Sequence, residues 1–567
     1  MRIIPENSEI IIALKNKSHL LFILLVLLTM YIAGPASAQK KVRLERADRL
    51  EGGRKDGRRY DSFVGNVIFL HQNATIYCDS AILYRKENSL EAYGHVRIDD
   101  GDSITVTSNT LIYDGNSRVA KLRSNVVFTK KTQMTLYTDF LDYDRVKEIA
   151  KYVNGGKIVD STNVLSSEKG YYDVRRNMAS FKTNVVGENP DYTMKSDTLQ
   201  YNTKTKIIYF KDKTELTDVD GNVFVYSSGL YNTLIDKSDF SKGYIETESY
   251  FLYGDRLVFD DIRGFYTASD NVKMIAKGND VIILGNKAKY WKSEKITKVY
   301  ENALLKMLSN EDTIYVSADT LVSLDYEEDI NKRLLAYHNV KIYKNDLQGI
   351  ADSLVYFQAD SVLSLFGNPA LWTMGNQMTS DQIDIEIANQ TISVLHLKSN
   401  SFVISVDSLN NFNQIKGRDM DAIFEDQQLS KVYVYGNGES IFFMLAEDES
   451  TLIGMNKILC SDMTLNFIDN QLSDITFYTN NEGKFIPPHE LKEPDKRLTG
   501  FTWRSKEKPG YEDVVPEKYL DPNRVKREPE NIETEIYTSP VPGAGKKKIP
   551  ENMGGKKRKK IVKTKKN

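Results

Sequence analysis

Along most of this chain apolar side chains fall on every second position. Ile104/Val106, Val126/Phe128 and Val281/Ile283 show the pattern in its plainest form. A period of two places those residues on one face of a pleated strand and their polar neighbours on the other. Asp100-Gly101, Asp114-Gly115, Asp220-Gly221 and Gly436-Asn437-Gly438 separate the runs; such pairs tolerate the positive φ of tight turns. Helical spacing is nearly absent, so the alternation predicts an all-β protein.

The runs also repeat. One half-motif sets a small residue before Asp or Asn, then an aliphatic two places on and an aromatic or aliphatic four places on. Asn109/Leu111/Tyr113, Asp139/Leu141/Tyr143, Asp197/Leu199/Tyr201, Asp255/Leu257/Phe259 and Asp352/Leu354/Tyr356 are copies. The other is a Gly-Asn-like bend before an apolar residue, as at Asn66-Val67, His95-Val96, Asn125-Val126, Asn184-Val185, Asn271-Val272 and Asn339-Val340. Its copies lie about 30 residues, or a small multiple of that, apart except for one longer step, and each half-motif reads as one strand. A unit of two or three short strands cannot bury its apolar face alone, so successive units must stack. The expected body is a stacked repeat β-jelly roll or β-solenoid, with a first part over 41–215 and further repeats over 216–484.

Stacking turns one face of each strand toward a shared apolar trough. Its expected lining is Val67, Phe69, Leu111, Tyr113, Val126, Phe128, Leu141, Tyr143, Leu199, Tyr201, Leu257, Phe259, Leu354 and Tyr356. Taken singly each is an ordinary core residue; only the set makes a lining able to take a lipid. The repeated Asp reads as a turn or strand-entry residue, not a ligand.

Composition narrows the function classes. Lys plus Arg total 76 against 78 Asp plus Glu, a net charge of -2, which gives no ground for a nucleic-acid partner. Leu20–Ala33 is one apolar run behind Lys15, Lys17 and His19, and Ala36 and Ala38 follow it. It is shorter than the roughly 20 residues of a spanning helix, so residues 1–38 read as a signal peptide cleaved after Ala38. An uncleaved inner-membrane anchor is the alternative. Cys78 and Cys460 are expected to be buried, unpaired thiols, and the histidines show no metal-ligand spacing. No cofactor, metal or catalytic residue is expected. From 485 the alternation gives way to Pro, Lys and Glu, so 485–567 is expected to be a disordered basic tail. Its final lysines, Lys556 to Lys566, offer contact with anionic membrane lipid, or simply a solvated end.

Gly65-Asn66-Val67-Ile68-Phe69 alternating with Ser196-Asp197-Thr198-Leu199-Gln200-Tyr201 resembles the OstA-like family of lipopolysaccharide transport proteins, the LptA type. The likeness is clearest over about 60–215 and continues more loosely to about 470. It implies a β-jelly roll open on one side that shelters lipopolysaccharide acyl chains. It also implies partners in the same transport route, joined by strand addition at the sheet edge, and a periplasmic location at or near the outer membrane. The chain is longer than a single bridge unit and lacks the even series of membrane strands of a translocon barrel. A structural β-solenoid of the cell envelope and a polysaccharide-active enzyme are the other two readings. Asp79-Ser80-Ala81 and Asp352-Ser353-Leu354 are also similar to the O-glycosylation signal of some Bacteroidetes envelope proteins, although the repeat itself requires those residue types.

Overall fold

The computed structural model describes residues 41–522, apart from 162, 279, 309–311, 327–331, 389–390, 427, 469–470 and 480. The signal segment 1–38 and the polybasic end lie outside the described residues. Among the described residues strands dominate, every pairing is antiparallel, and the α-helix Tyr511–Val514 is a single turn. Two compact units divide the chain, 1–313 with 319–326 and 314–318 with 327–567.

In the first unit the strands are long and bent. Arg58–His71, Ala74–Tyr84, Ser89–Asp100, Ile104–Asp114, Val119–Lys130 and Met134–Asp144 pair in sequence order. These strands carry the two half-motifs alternately, one half-motif to a strand, and the Gly-Asn bends lie inside the strands, not between them. At Gly65-Asn66, with φ of 84° and 45°, the partner of Val64 is Ser80 and that of Val67 is Cys78, so one strand carries an extra residue. Such a bulge bends the strand and re-aims its side chains. Phe63, Val67 and Phe69 therefore all face inward and are buried.

The Asp of one half-motif holds the bend of the other. Asn66 Nδ2 donates to Asp48 Oδ2 at 2.7 Å, Asn271 Nδ2 to Asp255 Oδ2 at 2.6 Å, and Asn400 Nδ2 to Asp381 Oδ2 at 2.9 Å. His95 Nδ1 meets Asp79 Oδ2 at 2.8 Å. At Gly65 the left-handed backbone and the acid approach together: a Cβ there would lie 2.6 Å from Asp48 Oδ2. The interleaving of the two half-motifs is thus one device seen from adjacent strands. Asp48 and Asp381 stand just before a strand, at the strand entry expected of this Asp, whereas Asp79 and Asp255 lie mid-strand.

The second unit separates its strands into two layers. Leu347–Phe357 is the branch point, pairing through Ser353–Phe357 with Val362–Phe366 and through Leu347–Ile350 with Ala370–Thr373. A front sheet then runs Ala370–Thr373, Asn376–Thr379, Ser401–Val406, Phe412–Gly417, Gly438–Leu445, Leu452–Cys460 and Glu482–Ile486. A rear sheet runs Val362–Phe366, Gln382–Ala388, Thr391–Lys398, Asp419–Glu425, Gln428–Tyr435, Asp462–Ile468 and Gln471–Tyr478.

Residues 485–522 are not the structureless start of a tail. Pro487-Pro488 ends the last strand, and the chain then runs back over the outer side of the front sheet as a strap. Gln414 Nε2 donates to Lys496 O and Gln414 Oε1 accepts from Leu498 N, both at 2.8 Å. Gln377 does the same with Thr502 O at 2.7 Å and Arg504 N at 2.6 Å. Leu491, Leu498, Phe501 and Trp503 pack on Phe402, Ile404, Ile441, Phe443 and Met455. Farther on, the Tyr511 ring sits edge-on to Tyr315 and Tyr343. A Pro-rich segment has little structure of its own; here the sheet supplies the hydrogen bonds and apolar cover that the composition does not predict.

Candidate functional site

The inward rows of the first unit are closed by their own side chains. Of the fourteen residues expected to line the trough, Val67, Phe69, Leu111, Tyr113, Val126, Phe128, Leu141, Tyr143, Leu199, Tyr201, Leu257 and Phe259 are buried in the first unit. Leu354 is buried in the second, and Tyr356 is half-buried. Phe128 meets Tyr143 and Tyr172 edge to face, with centroids 5.4 and 6.2 Å apart, a favoured geometry for aromatic pairs.

The motif tyrosines bring a polar network inside. Arg145 donates to Asp100 through Nε at 3.0 Å and Nη2 at 2.8 Å, to Tyr113 Oη at 2.9 Å and to Asn73 Oδ1 at 3.0 Å. Tyr143 Oη donates to Asp100 Oδ2 at 3.0 Å, and His71 Nδ1 lies 2.7 Å from Tyr113 Oη. Burial works against the Arg145 cation, yet the Asp100 carboxylate and Tyr113 outweigh it and hold the guanidinium more firmly protonated than a free arginine. A second buried group joins Lys206 and Tyr201 to Asp160. Its hydrogen bonds, led by Lys206, keep the Asp160 carboxyl below the usual range against the upward push of burial. Acyl chains cannot share this space without leaving buried charges unpaired. Cys78 and Cys460 are free and buried; burial first, then Asp79, pushes the Cys78 thiol up to about 12.

The inward face loosens farther along the chain. In the first unit Phe224, Leu252 and Met274 form part of one cross-strand row and are only half-buried. Nearby, Tyr226 stacks on Phe240 at 3.8 Å, and its buried hydroxyl has no hydrogen-bond partner among the described residues. In the second unit a Cβ on Gly417 would lie 2.4 Å from Val434 Cγ1, and one on Gly438 3.0 Å from Met463 Cε. That side of the front sheet therefore looks at the rear sheet. Alternation and register place Val403, Ile415, Phe442, Met444, Ile458 and Phe485 on the same side. Near the bends the opposing rear-sheet residues Ile383, Leu395, Leu397 and Met420 are fully buried. Toward the strand ends Phe442 is 43% exposed, Met444 36% and Phe485 49%. The result is an apolar surface, sealed at its base and uncovered along its rim.

None of these rim residues was singled out from the sequence. Phe442 and Met444 obey the period-two pattern but lie outside the strongest copies of the motif. What they lack is an aromatic network of the kind around Phe128.

The OstA-like protein family matches residues 39–197, the span whose interior is most tightly closed. No curated protein sequence matches the chain. Among solved structures it is similar to LptH, the LptA-homologous periplasmic component of the lipopolysaccharide transport device of Pseudomonas aeruginosa. Identity is 12% and the TM-score 0.13, over 24% of this chain and 82% of that one.

Proposed function

We propose that this chain, whose residues 39–197 match the OstA-like protein family, carries lipopolysaccharide across the periplasm, sheltering the acyl chains against an inward apolar β face. The carrying observation is the partly uncovered inner side of the front sheet at Phe442, Met444 and Phe485. Each methylene kept from water is worth about 0.8 kcal/mol, so an apolar surface of this kind binds lipid without a catalytic group. The motif residues of the first unit, from Val67 to Tyr201, serve as the wall that holds the roll in shape. Lipid meets the inward row where its packing is incomplete. Partners in this reading are other transport proteins joined by strand addition, and the basic end of the chain adds contact with anionic lipid.

A second reading, a purely structural envelope stalk, is favoured by the closed, salt-bridged interior around Arg145 and Asp100. Photo-crosslinkers introduced in cells separate the two. A probe at Phe442 should capture lipopolysaccharide, and one at the outward Thr105 should not. Equal labelling at both positions, or normal surface delivery of lipopolysaccharide after depletion of the protein, would remove the carrier reading.

A further inference from the structure

The first hairpin of the roll is built against its own electrostatics. Strand Arg49–Lys55 pairs with the start of Arg58–His71 through the turn Asp56-Gly57, both at positive φ. In that register Arg54 stands directly opposite Arg59, and Lys55 opposite Arg58. Like charges placed across a ladder disfavour the pairing they sit in. Five cations and two carboxylates occupy positions 49–59 of a chain whose overall charge is -2.

Among the described residues no carboxylate pairs with these cations. Arg54, Lys55, Arg58 and Arg59 are exposed. Asp61, the nearest acid on the strand, is taken by Arg85. Arg58 leans on the Tyr84 ring at 5.1 Å, which leaves its charge available. The hairpin also outruns its neighbour: pairing with Ala74–Tyr84 begins only at Asp61. Its tip therefore extends about 10 Å past that ladder, at about 3.4 Å per residue.

Alternation puts Lys55 and Arg58 on one side of the tip and Arg54 and Arg59 on the other. A convex tip charged on both sides offers no concave pocket for one small anion. It suits a flat layer of phosphates that can meet all four cations together, and guanidinium forks bind phosphate well. With Leu50 the sole large apolar side chain on Arg49–Lys55, the hairpin rests on the headgroup layer and does not insert. From this geometry we infer that the hairpin docks the first end of the roll on an anionic phospholipid surface. This is independent of whether the inner face carries lipopolysaccharide.

The test uses the full chain and sedimentation with vesicles of phosphatidylethanolamine and phosphatidylglycerol, against vesicles of phosphatidylcholine alone. The variant is Arg54→Glu with Arg58→Glu, which turns both like-charged pairs into opposite-charged ones and so favours the hairpin while reversing its field. Amide exchange over 49–64 should stay equal or slow down, and affinity for the anionic vesicles should fall at least about tenfold. Raised salt should abolish binding of the parent chain, and millimolar inorganic phosphate should not. Unchanged binding by the variant, as when the basic tail alone holds the membrane, would overturn the inference. So would equal binding to phosphatidylcholine, or loss of binding to a soluble polyanion with vesicle binding intact.

Discussion

Arg145→Met tests whether the closed interior of the first unit rests on its buried ion pair. The Arg145 side chain is 3% exposed and that of Asp100 9%, and the guanidinium makes four hydrogen bonds there. Methionine keeps much of the stem volume, so the cavity contribution is small, and the loss is mainly electrostatic. Asp100 would be left with the Tyr143 hydroxyl as its remaining strong donor. Removing one partner of a buried pair costs about 3–5 kcal/mol, because the other charge stays desolvated. Replacing both, with Asp100→Asn added, should cost less than the sum of the single changes by about 2 kcal/mol or more. The two units need not unfold together, so the measurement is urea-dependent amide exchange over 104–144, not a single global transition. A loss below about 1 kcal/mol in Arg145→Met, or strictly additive single changes, would show that the aromatic packing around Phe128 closes the interior without the pair.

Three further outcomes follow from the same geometry. Tyr226→Phe removes a buried hydroxyl that has no partner and keeps the stack on Phe240, so thermal unfolding should show unchanged stability or a gain of about 1 kcal/mol. His396 loses some basicity to burial but gains more from Asp421 at 2.6 Å and Glu386 at 3.0 Å, so its pKa lies above the ordinary 6.5. Its contribution is therefore fully present below about pH 6.5 and fades as pH rises through the folded value, and His396→Gln should flatten that slope in a pH series of denaturation curves. Gln377→Ala with Gln414→Ala removes four hydrogen bonds to the strap, so proteolysis within 487–519 should accelerate at least about tenfold while the sheets stay folded.

The strands, their facing and the inward set were legible because they rest on local alternation: Leu111 and Tyr113 are buried where the period of two puts them. The Gly-Asn bends were legible as conformation but not as bulges, since a bulge is defined by the partner strand, and only pairing reveals that Asp48 faces Asn66. Tyr113 looked apolar in function because its partners, His71 and Arg145, stand 42 and 32 residues away. The strap was misread for a related reason. The bond from Arg504 N to Gln377 spans 127 residues, and a Pro-rich composition carries no trace of the sheet that receives it. The rim of the candidate site was equally hidden, because alternation reports which side a residue faces and not whether anything covers it.

The strap also decides what lies beside the final rungs of the second unit. By turning at Pro487 and doubling back as far as Tyr343, it takes residues 487–519 away from the final rungs. Among the described residues Gln471–Tyr478 and Glu482–Ile486 each pair on one side alone. Their outer amides and carbonyls are thus left as an open seam, and an incoming strand could extend either ladder without first having to displace the strap.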